Sequence, residues 1–297
     1  MSNKLRKMTL EKKHNLTGWA FLAPATFLIA VFSFWPMIKA LVLSFQTGKG
    51  RNMQMAGFTN YIRMFQDDVF IQSIKNTFFY FILQVPIMLV VALVLACILN
   101  KKDLRFKGFF RTMIFLPCTT SLVAYSIIFR SLFANDGLVN YVLVNLGILD
   151  KPYNFLTQPF AAKMVILLGL LWRWTGYNMV FFLSGLQNIE YSVYEAAKID
   201  GASAIQTFFK ITVPLLKPTI LLTAIMSTNG TLQLFDESVN LTDGGPANAS
   251  ISMSHYIYNL CFKYVPNFGY AAAMSFFILL LVAVLAFIQM RVGDKRD

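Results

Sequence analysis

Trp174, Tyr177 and Asn178 stand three and four residues apart in the run LWRWTGYN, a spacing that puts them on related faces of a helix. Ser227, Thr231 and Leu234 form a similar row in a second apolar run, with Asn229 and Gln233 beside it. Hydroxyl, amide and aromatic groups can hydrogen-bond and stack a neutral, hydroxyl-rich solute. Inside a membrane the same groups also hold helices together. Arg173, between two tryptophans, is a charge at membrane depth, and both a functional and a packing role are open to it. Lys39, toward the end of its run, reads as a snorkelling side chain. Bond-breaking chemistry has little to work with. The two histidines are His14, in a basic segment, and His255, in a polar loop. Cys97, Cys118 and Cys261 form no C-x-x-C pair, so no disulfide framework, metal site or catalytic cluster is expected. No G-x-x-x-x-G-K-[ST] is present to cradle nucleotide phosphates.

Composition dictates what must position these groups. Of 297 residues, 57% are hydrophobic and 13% charged. So apolar a chain cannot bury its side chains in one water-soluble core, and an all-α integral membrane protein is expected. Crossing a bilayer takes roughly 20 apolar residues in a helix. Six runs qualify, at 18–46, 75–99, 110–133, 162–186, 214–235 and 268–290. The first is too long for a signal peptide and lacks a small-residue cleavage site. The fifth is interrupted by Ser227-Thr228-Asn229-Gly230-Thr231, which should face away from lipid. Six spans put both termini on one side. Segments 1–17, 100–112, 187–217 and 291–297 then share a side with 16 Lys and Arg, against 7 on segments 47–74, 130–163 and 236–267. The positive-inside rule makes the first set cytoplasmic. The net charge of +12 therefore reads as membrane anchoring, with no nucleic acid as partner. The expected division is a cytoplasmic segment 1–17, a membrane domain 18–291 and a cytoplasmic tail 292–297.

Segment 187–217 is too long for a simple connection. Ser192, with Glu195 three residues on, predicts a capped first helix, and Gly201 a turn. A second helix over 202–211 gathers Ile205, Phe208 and Phe209 on one face, and Pro214 and Pro218 suit the opening turns of the next span. Two such helices make a compact knob or a passive membrane-surface element.

The stretch YEAAKIDGASAIQTFFKITVPLLKP resembles the EAA motif of bacterial ABC-importer permeases, with Glu195, Ala196, Ala197, Gly201, Ile211 and Pro214 in register. FKGFFRTMIFLP, LWRWTGYNMVFFLSGLQNI, LTDGGPANAS and FGYAAAMSFFILLL are similar to the carbohydrate-uptake permeases of the maltose-transporter superfamily, and the likeness covers about residues 17–291. The resemblance implies a six-helix permease of the type I importer fold with cytoplasmic coupling helices, in a bacterial cell membrane. It implies that Glu195, Ala196, Ala197, Asp200, Gly201 and Ala202 contact a separate ATPase dimer, which binds ATP and Mg; no cofactor is expected in this chain. A second, homologous permease, an extracytoplasmic solute-binding protein and a sugar-like substrate complete the implied assembly. In relatives with a membrane sugar site, residues aligning with Tyr177, Ser227 and Thr231 contact the ligand; with Trp174, Asn178, Asn229, Gln233 and Arg173, read from their own chemistry, they make the expected substrate path. A non-sugar solute such as glycerol phosphate is the alternative within the family. An ion-coupled secondary transporter would need carboxylates within its spans, and spans one to four and six have none.

Overall fold

A computed structural model describes residues 10–49, 52–101 and 103–293. Residues 1–9 and 294–297, parts of the expected terminal segments, lie outside the described residues. Helix α1 (Leu10–Ile29) passes through a π-helical turn, Ala30–Phe34, into α2 (Trp35–Ser44). The ribbon β1 (Gln46–Lys49) and β2 (Asn52–Met55) pairs antiparallel and leads to α3 (Thr59–Met64). Then come α4 (Asp68–Asn100), α5 (Lys107–Thr119), α6 (Leu122–Leu132), α7 (Leu138–Asn145) and α8 (Pro159–Gln187). The knob comprises α9 (Tyr191–Ile199), α10 (Ala204–Thr207), a π turn Phe208–Thr212 and α11 (Val213–Leu215). Helices α12 (Lys217–Leu232), α13 (Met253–Tyr258) and α14 (Phe268–Gly293) complete the chain.

Among the described residues, four helical stretches are long and apolar enough to cross a membrane unbroken: His14–Ser44, α4, α8 and α14. Two more candidate spans are bent. The α5–α6 pair turns through 98°, and Ala204–Leu215 meets α12 at 71°; counting each pair as one span gives six. The continuous run expected at 110–133 is thus two helices. Its break follows Pro117 in the last turn of α5, with Thr120 in extended conformation. Proline removes one hydrogen bond and crowds the preceding turn. Freed carbonyls at membrane depth must find other donors. The Thr120 hydroxyl supplies one, to Pro117 O at 2.9 Å, and Thr119 Oγ1 another, to Leu116 O at 2.8 Å.

The centre of the molecule is α8 packed along α4. Ala92 and Ala96, one turn apart on α4, let the backbones approach, and Met179, Phe182, Leu183 and Leu186 fill the seam. Gly176 brings α8 equally close to α5: a Cβ there would overlap the Ile114 carbonyl. The end of the molecule carrying α3, α13 and the 233–267 connection is held by polar side chains on backbone. Asn76 Nδ2 donates to Ile251 O at 2.9 Å, and Asn60 Nδ2 to Gln46 O at 2.8 Å. Asp67 caps α4 through Val69 N and Phe70 N, and its second oxygen accepts from Tyr256 Oη and Tyr270 Oη, both at 2.7 Å. Burial alone would raise its pKa; these tyrosine and backbone donors outweigh burial and lower it. His255, expected in a polar loop, is fully buried on α13, with Nδ1 2.9 Å from Ser238 Oγ. Its turn of helix is capped by Ser252, which accepts from His255 N.

Candidate functional site

Where α8 faces α12, a cavity of about 370 Å³ opens. Helix α8 contributes Leu170, Trp174, Tyr177 and Asn178, and α12 contributes Met226, Ser227, Gly230 and Thr231. The i, i+3 and i, i+4 spacings read in the sequence are what place these groups on facing sides. Gln233, Leu234, Phe235, Asp236 and Glu237 close it after the last turn of α12, and Gln84 and Met88 of α4 form its floor.

A chain of hydrogen bonds joins the three helices along this wall. Thr231 Oγ1 donates to Gln84 Oε1 at 2.9 Å, tying α12 to α4. Ser227 Oγ donates to Asn178 Oδ1 at 3.2 Å, tying α12 to α8. The amide nitrogens of Gln84 and Asn178 both rest on the Met88 sulfur, at 3.8 and 3.5 Å. Thioether sulfur is a weak acceptor, so a hydroxyl oxygen would be a better partner for either amide. Trp174 and Tyr177 meet edge to face, their ring centres 5.9 Å apart. Chemically the wall offers hydroxyls, amides and aromatic edges, which is what a polyol with flat apolar faces requires.

The cavity gathers six of the eight expected path residues: Trp174, Tyr177, Asn178, Ser227, Thr231 and Gln233. Arg173 and Asn229 do not line it. Arg173 is buried and donates to the carbonyls of Thr120 at 2.8 Å, Pro117 at 3.4 Å and Cys118 at 3.4 Å. It thus secures the break between α5 and α6, because a guanidinium is the side chain with enough donors to serve several bare carbonyls at once. Asn229 lies on the exposed face of α12, where its Oδ1 accepts from Gln233 Nε2. Thr228, between the two faces, accepts from Gln289 of α14 at 2.7 Å. Gln84 and Glu237 were not singled out by sequence. The signal for Gln84 was a lone amide in the middle of an apolar run; that for Glu237 was a carboxylate directly following one.

A second candidate site is the α9–α11 knob. Helix α9 starts two residues earlier than the cap reading implies: Glu190 is its N-cap, and Ser192 lies inside it with its hydroxyl on Glu190 Oε2. The capping box belongs to the next helix, formed by Ser203 and Gln206. Gly201 takes φ +74° in the turn between them, a left-handed conformation that suits glycine. Bonds from Asp200 N to Ala196 O and Ala202 N to Ala197 O, both 2.9 Å, close the end of α9. Ala197 is buried; Glu195, Ala196, Asp200 and Gly201 are exposed, and Ala202 is half-buried. Phe208 turns toward the α4–α8 core, whereas Ile205 and Phe209, expected on its face, are exposed with Ile199. The knob is therefore anchored through Phe208 and Val213 and presents an apolar surface beside a carboxylate.

Residues 68–296 match the family described as "Binding-protein-dependent transport system inner membrane component". The lactose transport system permease protein LacF of Rhizobium radiobacter is 51% identical, over 98% of this chain and 98% of its own length. The arabinooligosaccharides transport system permease protein AraP of Halalkalibacterium halodurans is 31% identical, over 96% of this chain and 90% of its own. Among solved structures, a bacterial ABC transporter involved in the import of the acidic polysaccharide alginate superimposes with a TM-score of 0.84 at 23% identity, over 97% of this chain and 98% of that one. That likeness is one of fold.

Proposed function

This chain belongs to the binding-protein-dependent transport system inner membrane components, as an ABC-importer permease of the type I fold, and we propose that it builds half of the translocation path for a sugar, oligosaccharide or related polyol. The observation that carries the reading is the cavity between α8 and α12, walled by Asn178, Ser227, Thr231 and Gln84 and edged by Trp174 and Tyr177. The carbohydrate permeases among its relatives support the substrate class. A homologous second permease supplies the other half of the path, and a solute-binding protein delivers the substrate. ATP and Mg are held by a separate ATPase pair. That pair docks on α9, where Glu195 offers charge, Ala196 and Ala202 allow close approach, and Gly201 sets the bend before α10. The exposed Ile199, Ile205 and Phe209 around Glu195 favour a protein partner for this surface. The Lys and Arg distribution supports a cytoplasmic location for the knob and both termini in a bacterial cell, with the 236–267 connection outside.

Uptake by vesicles reconstituted with the two permeases, the ATPase pair and the binding protein tests this function. Saccharide accumulation that needs ATP inside and survives collapse of ion gradients is the expected result. Accumulation abolished by an ionophore and indifferent to ATP would assign the chain to ion-coupled transport.

A further inference from the structure

Glu237 follows the last turn of α12 and is only 4% exposed, although it borders the cavity. The indole N–H of Trp174 stands close enough to its carboxyl group to favour the charged form. Its Oε1 nevertheless has no hydrogen-bond partner among the described residues. A buried carboxylate oxygen left bare is unfavourable, and because a carboxylate only accepts, what it lacks is a donor. The cavity lining supplies no cation to fill that place: it contains Asp236 and Glu237 but neither Lys nor Arg. The neighbouring Arg173 is committed to the carbonyls of Thr120, Pro117 and Cys118. One end of the cavity is therefore acidic and short of donors. Its floor holds the Gln84 amide nitrogen, which has the Met88 sulfur as its acceptor, and that of Asn178, which donates to Trp174 O at 3.1 Å as well as to the same sulfur.

We propose that Glu237 accepts a hydroxyl of a neutral saccharide in this cavity, beside the Trp174 ring, and that the acidic rim it forms with Asp236 disfavours solutes carrying phosphate or carboxylate. The proposal rests on the reading of the chain as a carbohydrate permease and narrows its substrate class. A saccharide hydroxyl meets both needs of the site, donating its proton to Glu237 Oε1 while other ring hydroxyl oxygens accept from Gln84 or Asn178. A phosphate or uronate would bring an anion against Asp236 and against Glu237, where burial and Asp236 already disfavour negative charge.

The test uses the full transporter in proteoliposomes, with the solute-binding protein, and lactose, an arabinotriose and glycerol 3-phosphate as labelled probes. Glu237→Leu removes the acceptor while filling the space, and Glu237→Gln keeps one acceptor oxygen. A hydrogen bond to a charged group is worth about a tenfold effect or more, so Glu237→Leu should slow saccharide uptake by at least that factor. Glu237→Gln should stay within about threefold of the wild type. Recovery of the intact complex in both variants excludes misassembly. Wild-type uptake of a saccharide with unchanged uptake by Glu237→Leu overturns this proposal and leaves the carbohydrate reading standing. Equal loss in both variants, with the complex intact, makes Glu237 a structural support for Trp174 and also overturns it. Wild-type uptake of glycerol 3-phosphate and of neither saccharide overturns both readings.

Discussion

Arg173 Nη1 lies 2.8 Å from the carbonyl oxygen of Thr120, across the gap between α8 and the break that separates α5 from α6. The same guanidinium reaches Pro117 O and Cys118 O, and it packs against the rings of Tyr125 and Trp174, 5.5 Å from each ring centre. One side chain thus fixes a 98° bend in one span and abuts an aromatic residue of the cavity. Arg173→Met takes the donor from the Thr120 and Cys118 carbonyls, at about 1–3 kcal/mol, while Pro117 O keeps the Thr120 hydroxyl. Its expected signature is a lower melting temperature of the purified complex, with Arg173→Lys intermediate, since an ammonium serves fewer carbonyls in a fixed plane. An unchanged melting temperature in Arg173→Met would mean that the break needs no guanidinium.

Gly176 makes a separate demand on the same pair of helices. A Cβ at this position would overlap the Ile114 carbonyl of α5, which is backbone and cannot rotate aside. Gly176→Ala should cost about 1–3 kcal/mol through displacement of α5 from α8. Because Tyr177 is the next residue and lines the cavity, uptake should fall as well. Thermal unfolding and uptake of the variant, measured side by side, check this; full stability would show that α5 moves freely against α8.

On the knob, Glu195 is exposed and Gly201 has open space around its Cα at φ +74°. Gly201→Ala should therefore cost only the backbone strain of about 1–2 kcal/mol. Glu195→Lys should cost about 2–5 kcal/mol of ATPase docking if the carboxylate pairs with a buried base there. Co-purification of the ATPase pair with the permease reads both effects. Retained ATPase and full transport in Glu195→Lys would reduce the knob to a passive surface element.

His255 gives the fold a pH dependence on the opposite side. Burial is the main cause that pushes its pKa down to about 4; the Asp243 carboxylate opposes this and Lys263 adds to it. In the unfolded chain the imidazole titrates near the ordinary histidine value of ~6.5. The folded state therefore favours the neutral ring. The stability tied to that preference is fully present above pH ~6.5 and is lost as pH falls toward ~4, by up to about 3 kcal/mol. His255→Gln should flatten the melting temperature over that window while retaining a partner for Ser238. A wild-type melting temperature independent of pH across the window would contradict the buried neutral assignment.

Much of this arrangement was legible in the sequence because helical periodicity and apolar length are local properties. Trp174, Tyr177 and Asn178 had to share a face of α8 once that helix existed, and Ser227 and Thr231 a face of α12. Pro218 marked the start of α12, and Gly201 the turn after α9. Long-range partners were not legible. Nothing near Arg173 in sequence points to carbonyls more than fifty residues away, and a composition window smooths over the break at Thr120. The capping box failed for a different reason: Ser192 and Ser203 both begin credible patterns, and only the path of the chain after Asn188 decides that Ser192 lies inside α9. His255 reads as a loop residue because its burial depends on Ser238 and Asp243, which reach it through tertiary folding.

A solute moving through the α8–α12 cavity passes Ser227, which stands on its wall. In a chain with Cys97, Cys118 and Cys261 replaced by alanine, Ser227→Cys is introduced, and the full transporter is treated with a hydrophilic thiol reagent during ATP turnover. Labelling at position 227 that slows several-fold when saccharide-loaded binding protein is present is the expected result. A thiol that reacts only with lipid-soluble reagents, or at a rate indifferent to saccharide, would contradict a solute path there.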